Sequence, residues 1–257
     1  MIVTLSPSKG QDFDAPIGHH PFSLPQQLDQ SGTLIDALRH YDVEGIRELM
    51  SVSENIAVLN VGRFRDFSTP FTEDNARQAL YAFKGDVYST IEVNDYKEEE
   101  LAFAQAHLRI LSGLYGYLRP LDLIQPYRLE MKTRLANPRG ENLYAFWGER
   151  ITDLLNRDLE AQVEPVLVNL ASNEYFKSIK PRKLAGRLLQ INFKETKAGK
   201  TRVVAIFAKR ARGMMANWII RNRLEHSAEL KAFDLENYRF DESLSDEKQW
   251  TFTRPQP

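Results

Sequence analysis

The sequence predicts a mixed α/β (α+β) fold in a single domain, residues 1–257, on three observations. Five β-prone runs, at residues 2–5, 166–170, 188–193, 202–207 and 250–253, are separated by stretches whose apolar residues recur at spacings of three and four. No internal repeat, low-complexity segment or clear linker divides the chain. With 257 residues, 42% of them hydrophobic and 27% charged, the chain can bury a sizeable core.

Ile2, Val3 and Leu5 form a strand that stops at Ser6-Pro7, and the loop beyond it carries Ser8, Lys9 and Gly10. Serines beside a lysine suit nucleophilic chemistry, because a desolvated amine can deprotonate a hydroxyl or attack by itself. The same residues also make ordinary turns. From 28 to 67 the pattern is helical, with Leu34, Leu38, Ile46, Leu49, Ile56, Leu59 and Phe64 on apolar faces. Another helix, capped by Thr72, is expected to bury Ala76, Ala79, Leu80 and Phe83 and to end at Lys84-Gly85. Lys84 either complements that helix end or joins Lys9 beside a site.

Residues 108–132, LRILSGLYGYLRPLDLIQPYRLEMK, read as the centre of the chain. A helix should begin near Asp95, with Glu98 at capping-box spacing and Glu98, Glu99 and Glu100 in its first turn. Leu101, Ala104, Leu108 and Leu111 share one face, Gly113 suits a left-handed helix end, and Gly116 lets the backbone double back. Pro120 then opens a second short helix with Leu121, Leu123 and Ile124. The product is a helix-hairpin-helix-like element over about 95–125, whose free amides would bind an anion. It resembles the element of DNA-repair and DNA-processing proteins, with Leu118 standing where a second glycine is usual.

Downstream, residues 141–160 read as a helix through Leu143, Phe146, Trp147, Ile151, Leu154 and Leu155, followed by a buried strand and a short helix capped by Asn173. Two β runs joined at Ala198-Gly199 make a hairpin with a basic tip. The helix expected from about Lys209 to Leu224 turns Ala211, Met214, Met215, Trp218 and Ile219 inward and Arg210, Asn217 and Arg221 outward. Trp250 to Thr253 alternate as an edge strand ended by Pro255.

Charge is the next constraint. The net value is −1, yet residues 175–223 hold fourteen Lys or Arg against one acidic residue, Glu195, while 1–105 carry −9. Such asymmetry points to a polyanionic partner, or to internal pairing with the acidic part. Zero cysteines exclude disulfides, thiol chemistry and cysteine-ligated metal. His19 and His20 are neighbours that point apart, and no Glu-x-x-His pair occurs on a plausible bundle helix, so no metal site and no cofactor are expected. No apolar run reaches ~20 residues and the first residues lack a signal-peptide pattern, which makes a cytoplasmic location and no membrane contact the expectation.

Taken together, LSPSKGQDF at 5–13, FKGDVY at 83–88, the block at 107–131, NLASNEYFKSIKP at 169–181 and AKRARG at 208–213 resemble the YaaA family of bacterial peroxide-stress proteins over essentially the whole chain. The resemblance implies a curved mixed sheet wrapped by helices and binding of duplex or distorted DNA through the hairpin element and a positive cleft. It also implies survival of hydrogen peroxide through a lower pool of unincorporated iron and less hydroxyl-radical damage.

Two readings follow. In the first, the chain binds DNA with weak sequence preference: Arg109, Gly113, Tyr115, Gly116, Arg119, Arg128 and Lys132 grip phosphate, and Lys177, Lys180, Arg182, Lys183, Lys209, Arg210, Arg212 and Arg221 line the cleft. In the second, Ser6, Ser8, Lys9 and Lys84 are the candidate catalytic set of an enzyme acting on a nucleobase or nucleoside. Neither requires an obligate protein partner.

Overall fold

The computed structural model describes residues 1–15 and 21–257. Its strands in chain order are β1 (Ile2–Leu5), β2 (Gly10–Gln11), β3 (Arg77–Gln78), β4 (Phe83–Lys84), β5 (Leu108–Ser112), β6 (Gly116–Leu118), β7 (Leu123–Ile124), β8 (Val166–Asn169), β9 (Arg187–Lys197), β10 (Lys200–Arg202), β11 (Arg239–Phe240) and β12 (Gln249–Pro255). The helices are α1 (Leu28–Leu38), α2 (Val43–Met50), α3 (Glu54–Asp66), α4 (Ala79–Ala82), α5 (Glu98–His107), α6 (Leu143–Trp147), α7 (Arg150–Glu160), α8 (Asn173–Phe176) and α9 (Ala205–Asn222).

The main sheet runs β11-β12-β9-β8-β1-β5-β6, with β10 folded back on β9. β12, β9, β8, β1 and β5 are parallel, whereas β6 and β11 close the two ends antiparallel. Every residue of β1, β5 and β8 is buried, as parallel strands covered on both faces require. Polar groups inside them are paired: Thr4 Oγ1 donates to Asn169 Oδ1 at 3.0 Å, and Asn169 Nδ2 donates to Gln190 Oε1 at 2.6 Å.

The mixed α/β class is what the sequence predicts, and the principal correction lies in the middle of the chain. The helix from the 95 region ends at His107, where Leu108–Ser112 becomes β5, pairing in parallel with β1 and antiparallel with β6. Residues 95–125 are therefore helix, strand, turn and strand, and the expected second helix is replaced by β7, which pairs with β3. The reason is tertiary. A short run of buried apolar residues fits a strand as well as a helix, and two neighbouring strands supply hydrogen bonds on both edges of this one.

Three smaller differences accompany it. The expected helix after Thr72 shrinks to the four residues of α4, because Ala79 N–H and Leu80 N–H donate to Asp122 O and Pro120 O, both at 2.9 Å. The helix over 141–160 is broken at Gly148, where φ is +54°. β12 is one strand in from the edge, covered by β11, and extends to Pro255. Among the described residues no helix is long and apolar enough to cross a membrane.

Candidate functional site

β1 and β8 lie side by side, and the chain goes from β1 to β5 on one flank before returning to β8 on the other. Carboxyl ends at such a reversal form the crevice in which open α/β sheets take ligands. A cavity of about 460 Å³ occupies this place. Its lining joins five separate segments: Ser6 to Lys9 after β1, Gly85 to Tyr88, Tyr127 to Glu130, Leu170 to Tyr175 after β8, and Lys209 with Arg212 on α9.

Local chemistry fixes each wall. Ser6 Oγ accepts from Ser172 N–H at 2.8 Å and donates to Ser172 Oγ at 3.2 Å, tying the ends of β1 and β8 together. Gly10 pairs with Lys84, and Gly85 adopts φ +119° where a Cβ would stand 2.9 Å from Ser8 Oγ, so the 85–88 turn closes onto the N-terminal loop. Tyr88 hydroxyl donates to Ser6 O at 2.8 Å. Helix α9 reaches the same turn because residue 213 is glycine: a Cβ there would lie 1.9 Å from Val87 O.

The electrostatics of the cavity are uneven. Glu130 is paired with Lys9 at 2.5 Å and with Arg128 at 3.3 Å. Burial pushes its carboxyl up, but the Lys9 ammonium and the nearby Arg128 and Lys132 charges outweigh this and hold it below its ordinary value. Burial raises the hydroxyl pKa of Tyr88, Tyr127 and Tyr175, which stand as neutral hydrogen-bonding groups at neutral pH. Lys209 lies 3.6 Å from Asp86. Arg212, half-buried, has neither a carboxylate nor a hydrogen-bond partner among the described residues, and burial alone draws its pKa down.

The candidate residues of the sequence separate into three groups. Ser6, Ser8, Lys9, Arg128, Lys209 and Arg212 converge on the cavity. Lys84 does not line it; its ammonium is 3.8 Å from Asp12. Lys132, Lys177 and Arg182 are exposed and Lys180 half-exposed, with no carboxylate at ion-pair distance among the described residues, whereas Lys183 pairs with Glu149 at 2.5 Å.

The hairpin residues are buried or paired within the fold. Arg109 is 4% exposed, bound to Asp158 at 2.7 Å and to Tyr117, and it donates to the carbonyls of Gln105, Ala106 and Leu108 at the end of α5. Tyr115 is fully buried. A Cβ on Gly113 would come within 2.2 Å of Leu129 O, and one on Gly116, where φ is +66°, within 2.6 Å of the Trp147 ring. These residues serve close packing. Arg119 is held by Asp122 at 2.9 Å, Arg210 by Glu236 at 3.6 Å, and Arg221 by Glu100 and Glu92 at 3.0 and 3.2 Å.

Sequence reasoning missed Asp86, Tyr88, Tyr127, Glu130, Ser172, Glu174 and Tyr175 as site residues. A signal was present, since each of the five blocks that carry the family resemblance contributes to this one cavity. His19 and His20 lie outside the described residues. Among the described residues no group of three or more His, Asp and Glu is placed to hold a metal ion.

A family model described as peroxide stress protein YaaA matches residues 1–244. The chain belongs to the YaaA family of peroxide stress proteins. It is 49% identical over 257 residues to a UPF0246 protein of Cellvibrio japonicus (strain Ueda107) and 53% identical over 260 residues to one of Azoarcus sp. (strain BH72), in both cases across the whole of each chain. In this YaaA-family chain the conspicuous glycine-rich hairpin builds the core, and the cavity at the strand ends collects the groups able to meet a ligand.

Proposed function

We propose that the chain serves the peroxide stress response by binding duplex or distorted DNA with weak sequence preference, at the cavity mouth and the adjoining surface of residues 177–183. The observation that carries this reading is Arg212: a half-buried guanidinium in a cavity, without an internal counter-charge among the described residues, is suited to a phosphate. Lys177, two residues beyond Tyr175 of the cavity wall, is exposed and has no ion pair among the described residues. Contacts of this kind position a backbone and do not read bases.

Fluorescence anisotropy of duplex, single-stranded and bulged DNA across a salt series tests it. With about six phosphates neutralised, the log–log salt slope is roughly −5. A Lys177→Ala, Arg182→Ala, Arg212→Ala triple variant should flatten the slope by roughly 2 to 3, while Arg119→Ala should leave it alone. A flat wild-type slope, or one indifferent to the triple variant, sinks the proposal. Lowering of free intracellular iron belongs to the same reading: cells lacking the chain should show more chelatable iron and more strand breaks under hydrogen peroxide. Equal iron and equal breakage with and without the chain would remove that half.

A second reading is favoured by Ser6, Ser8 and Lys9 lining the same cavity. It is an enzyme acting on a nucleobase or nucleoside. Chromatography of nucleosides incubated with the protein should reveal a product lost in Ser8→Ala and Lys9→Ala; turnover unaffected by either substitution contradicts it.

A further inference from the structure

Two sets of side chains with opposite chemistry face the cavity. Arg212 has no partner among the described residues, and Lys209, three positions earlier on α9, is loosely held by Asp86 at 3.6 Å. Arg128, whose guanidinium already pairs with Glu130 at 3.3 Å, keeps an Nε shut away from solvent without an acceptor. Against these stand the carboxylates of Glu130 and Glu174, close to the rings of Tyr127 and Tyr175. Leu129 and Leu170 supply apolar wall between them.

A bare inorganic anion would satisfy the unpaired cation but would not use the apolar wall or the second carboxylate oxygens of Glu130 and Glu174, whose Oε1 atoms already meet Lys9 and Arg128 and the Lys132 N–H. A purely apolar ligand would bury Arg212 unpaired, which is costly. The complementary molecule carries a dianion at one end and N–H donors on a flat ring at the other. We propose that the cavity binds a nucleoside monophosphate unit, its phosphate taken by Arg212 with Lys209 and its amino-bearing base by the Glu130 and Glu174 carboxylates. One unpaired guanidinium matches one phosphate group, and the cavity volume of about 460 Å³ falls within the usual range for small-molecule sites. The proposal rests on the cavity being the ligand site of the reading above, and it names what enters. Such a unit comes either free in solution or on a DNA strand.

The full chain is titrated calorimetrically with AMP, adenosine and inorganic phosphate, and by fluorescence with duplex DNA carrying 2-aminopurine opposite a gap. AMP should bind roughly tenfold or more tightly than adenosine or phosphate alone, because a charge-assisted phosphate contact is added to the base contacts. Arg212→Ala should bring AMP down to the level of adenosine. That side chain has no partner among the described residues, so its loss leaves the fold intact, as far-UV circular dichroism would verify. Glu174→Gln, which retains an acceptor for Lys132 N–H, should weaken AMP and spare phosphate.

Binding of free AMP that depends on Arg212 supports a soluble nucleotide as the source. A 2-aminopurine response that depends on Arg212, without free AMP binding, supports the strand-borne unit. Absence of both, equal affinity for AMP and adenosine, or indifference to Arg212→Ala overturns the inference. Salt-dependent DNA affinity surviving such a result leaves the DNA reading standing, and AMP binding without any DNA affinity overturns the DNA reading alone.

Discussion

Substituting Gly116 by alanine separates a packing role from a phosphate-binding one. The backbone at 116 has φ +66°, which costs an L-residue about 1–2 kcal/mol. The added methyl would also lie 2.6 to 2.8 Å from three atoms of the Trp147 ring. That ring is fully buried and pinned by its Nε1–H, which donates to Gly113 O at 2.9 Å, so it cannot swing aside without losing that bond. Overpacking of this kind costs about 1–3 kcal/mol, and the two effects together predict a loss of about 2–5 kcal/mol. Urea unfolding followed by tryptophan fluorescence and circular dichroism should show the midpoint falling with little change of slope. DNA affinity measured well below the transition should match wild type. A variant with the wild-type midpoint and no DNA affinity would refute the reasoning and return the hairpin glycine to phosphate binding.

Other consequences follow from single groups. Asp158→Asn removes the charge opposite buried Arg109 and should cost about 3 kcal/mol, visible as a lower melting temperature; an unchanged melting temperature would mean that Arg109 needs no counter-charge. Because the folded Glu130 carboxyl titrates below its ordinary 4.5, the stability it contributes is complete above about pH 4.5 and is lost as pH falls through the folded value. Lys9→Ala should remove much of that difference, under about 1 kcal/mol given that the Lys9 side chain is 62% exposed; a gap between the two proteins that persists unchanged to pH 3 would contradict this. Gly213→Ala should push α9 off the 87–90 turn, costing about 1–3 kcal/mol and displacing Lys209 and Arg212 from the cavity; wild-type stability together with wild-type ligand affinity would refute the tight packing seen at Val87 O.

What the sequence discloses about this fold depends on how locally each element is determined. The helices α1, α2, α3, α7 and α9 carry apolar stripes that identify them without their neighbours, and β1 and β8 are short apolar runs bounded by breakers. β5 is different. Its residues LRILS continue the periodicity of α5, and only the edges of β1 and β6 decide that they extend. The same holds for β3 and β4, whose partners are β7 and β2. At the site, Ser6, Ser8 and Lys9 stand out because a strand points into their loop. Tyr127, Glu130 and Tyr175 do not, since nothing local in the sequence brings residues more than a hundred positions from Ser6 against it. The order β8-β1-β5 does so, and that order is a property of the whole sheet.

Ion pairs within the fold divide the basic segment. The fourteen cations at 175–223 suggest a large phosphate-binding surface, but Lys183, Arg187, Lys209, Arg210, Arg221 and Arg223 form ion pairs with Glu149, Glu164, Asp86, Glu236, Glu92, Glu100 and Glu99, all from outside that segment. The acidic counterweight therefore neutralises nearly half of the basic segment within the fold. Eight cations are left without an ion pair among the described residues: Lys177, Lys180 and Arg182 after α8, Lys194, Lys197, Lys200 and Arg202 along the β9–β10 hairpin, and Arg212 in the cavity wall. If every one of the eight met a phosphate, this segment would contribute a salt slope of roughly −7. Either set of four alone, Lys177, Lys180, Arg182 and Arg212 or the four of the hairpin, would contribute roughly −4. A slope attributable to this segment that is steeper than the first figure would require paired arginines to abandon their carboxylates on binding. One near the second that Lys197→Ala and Lys200→Ala leave unchanged would place the contact on the side of Arg212 and leave the hairpin tip in solvent.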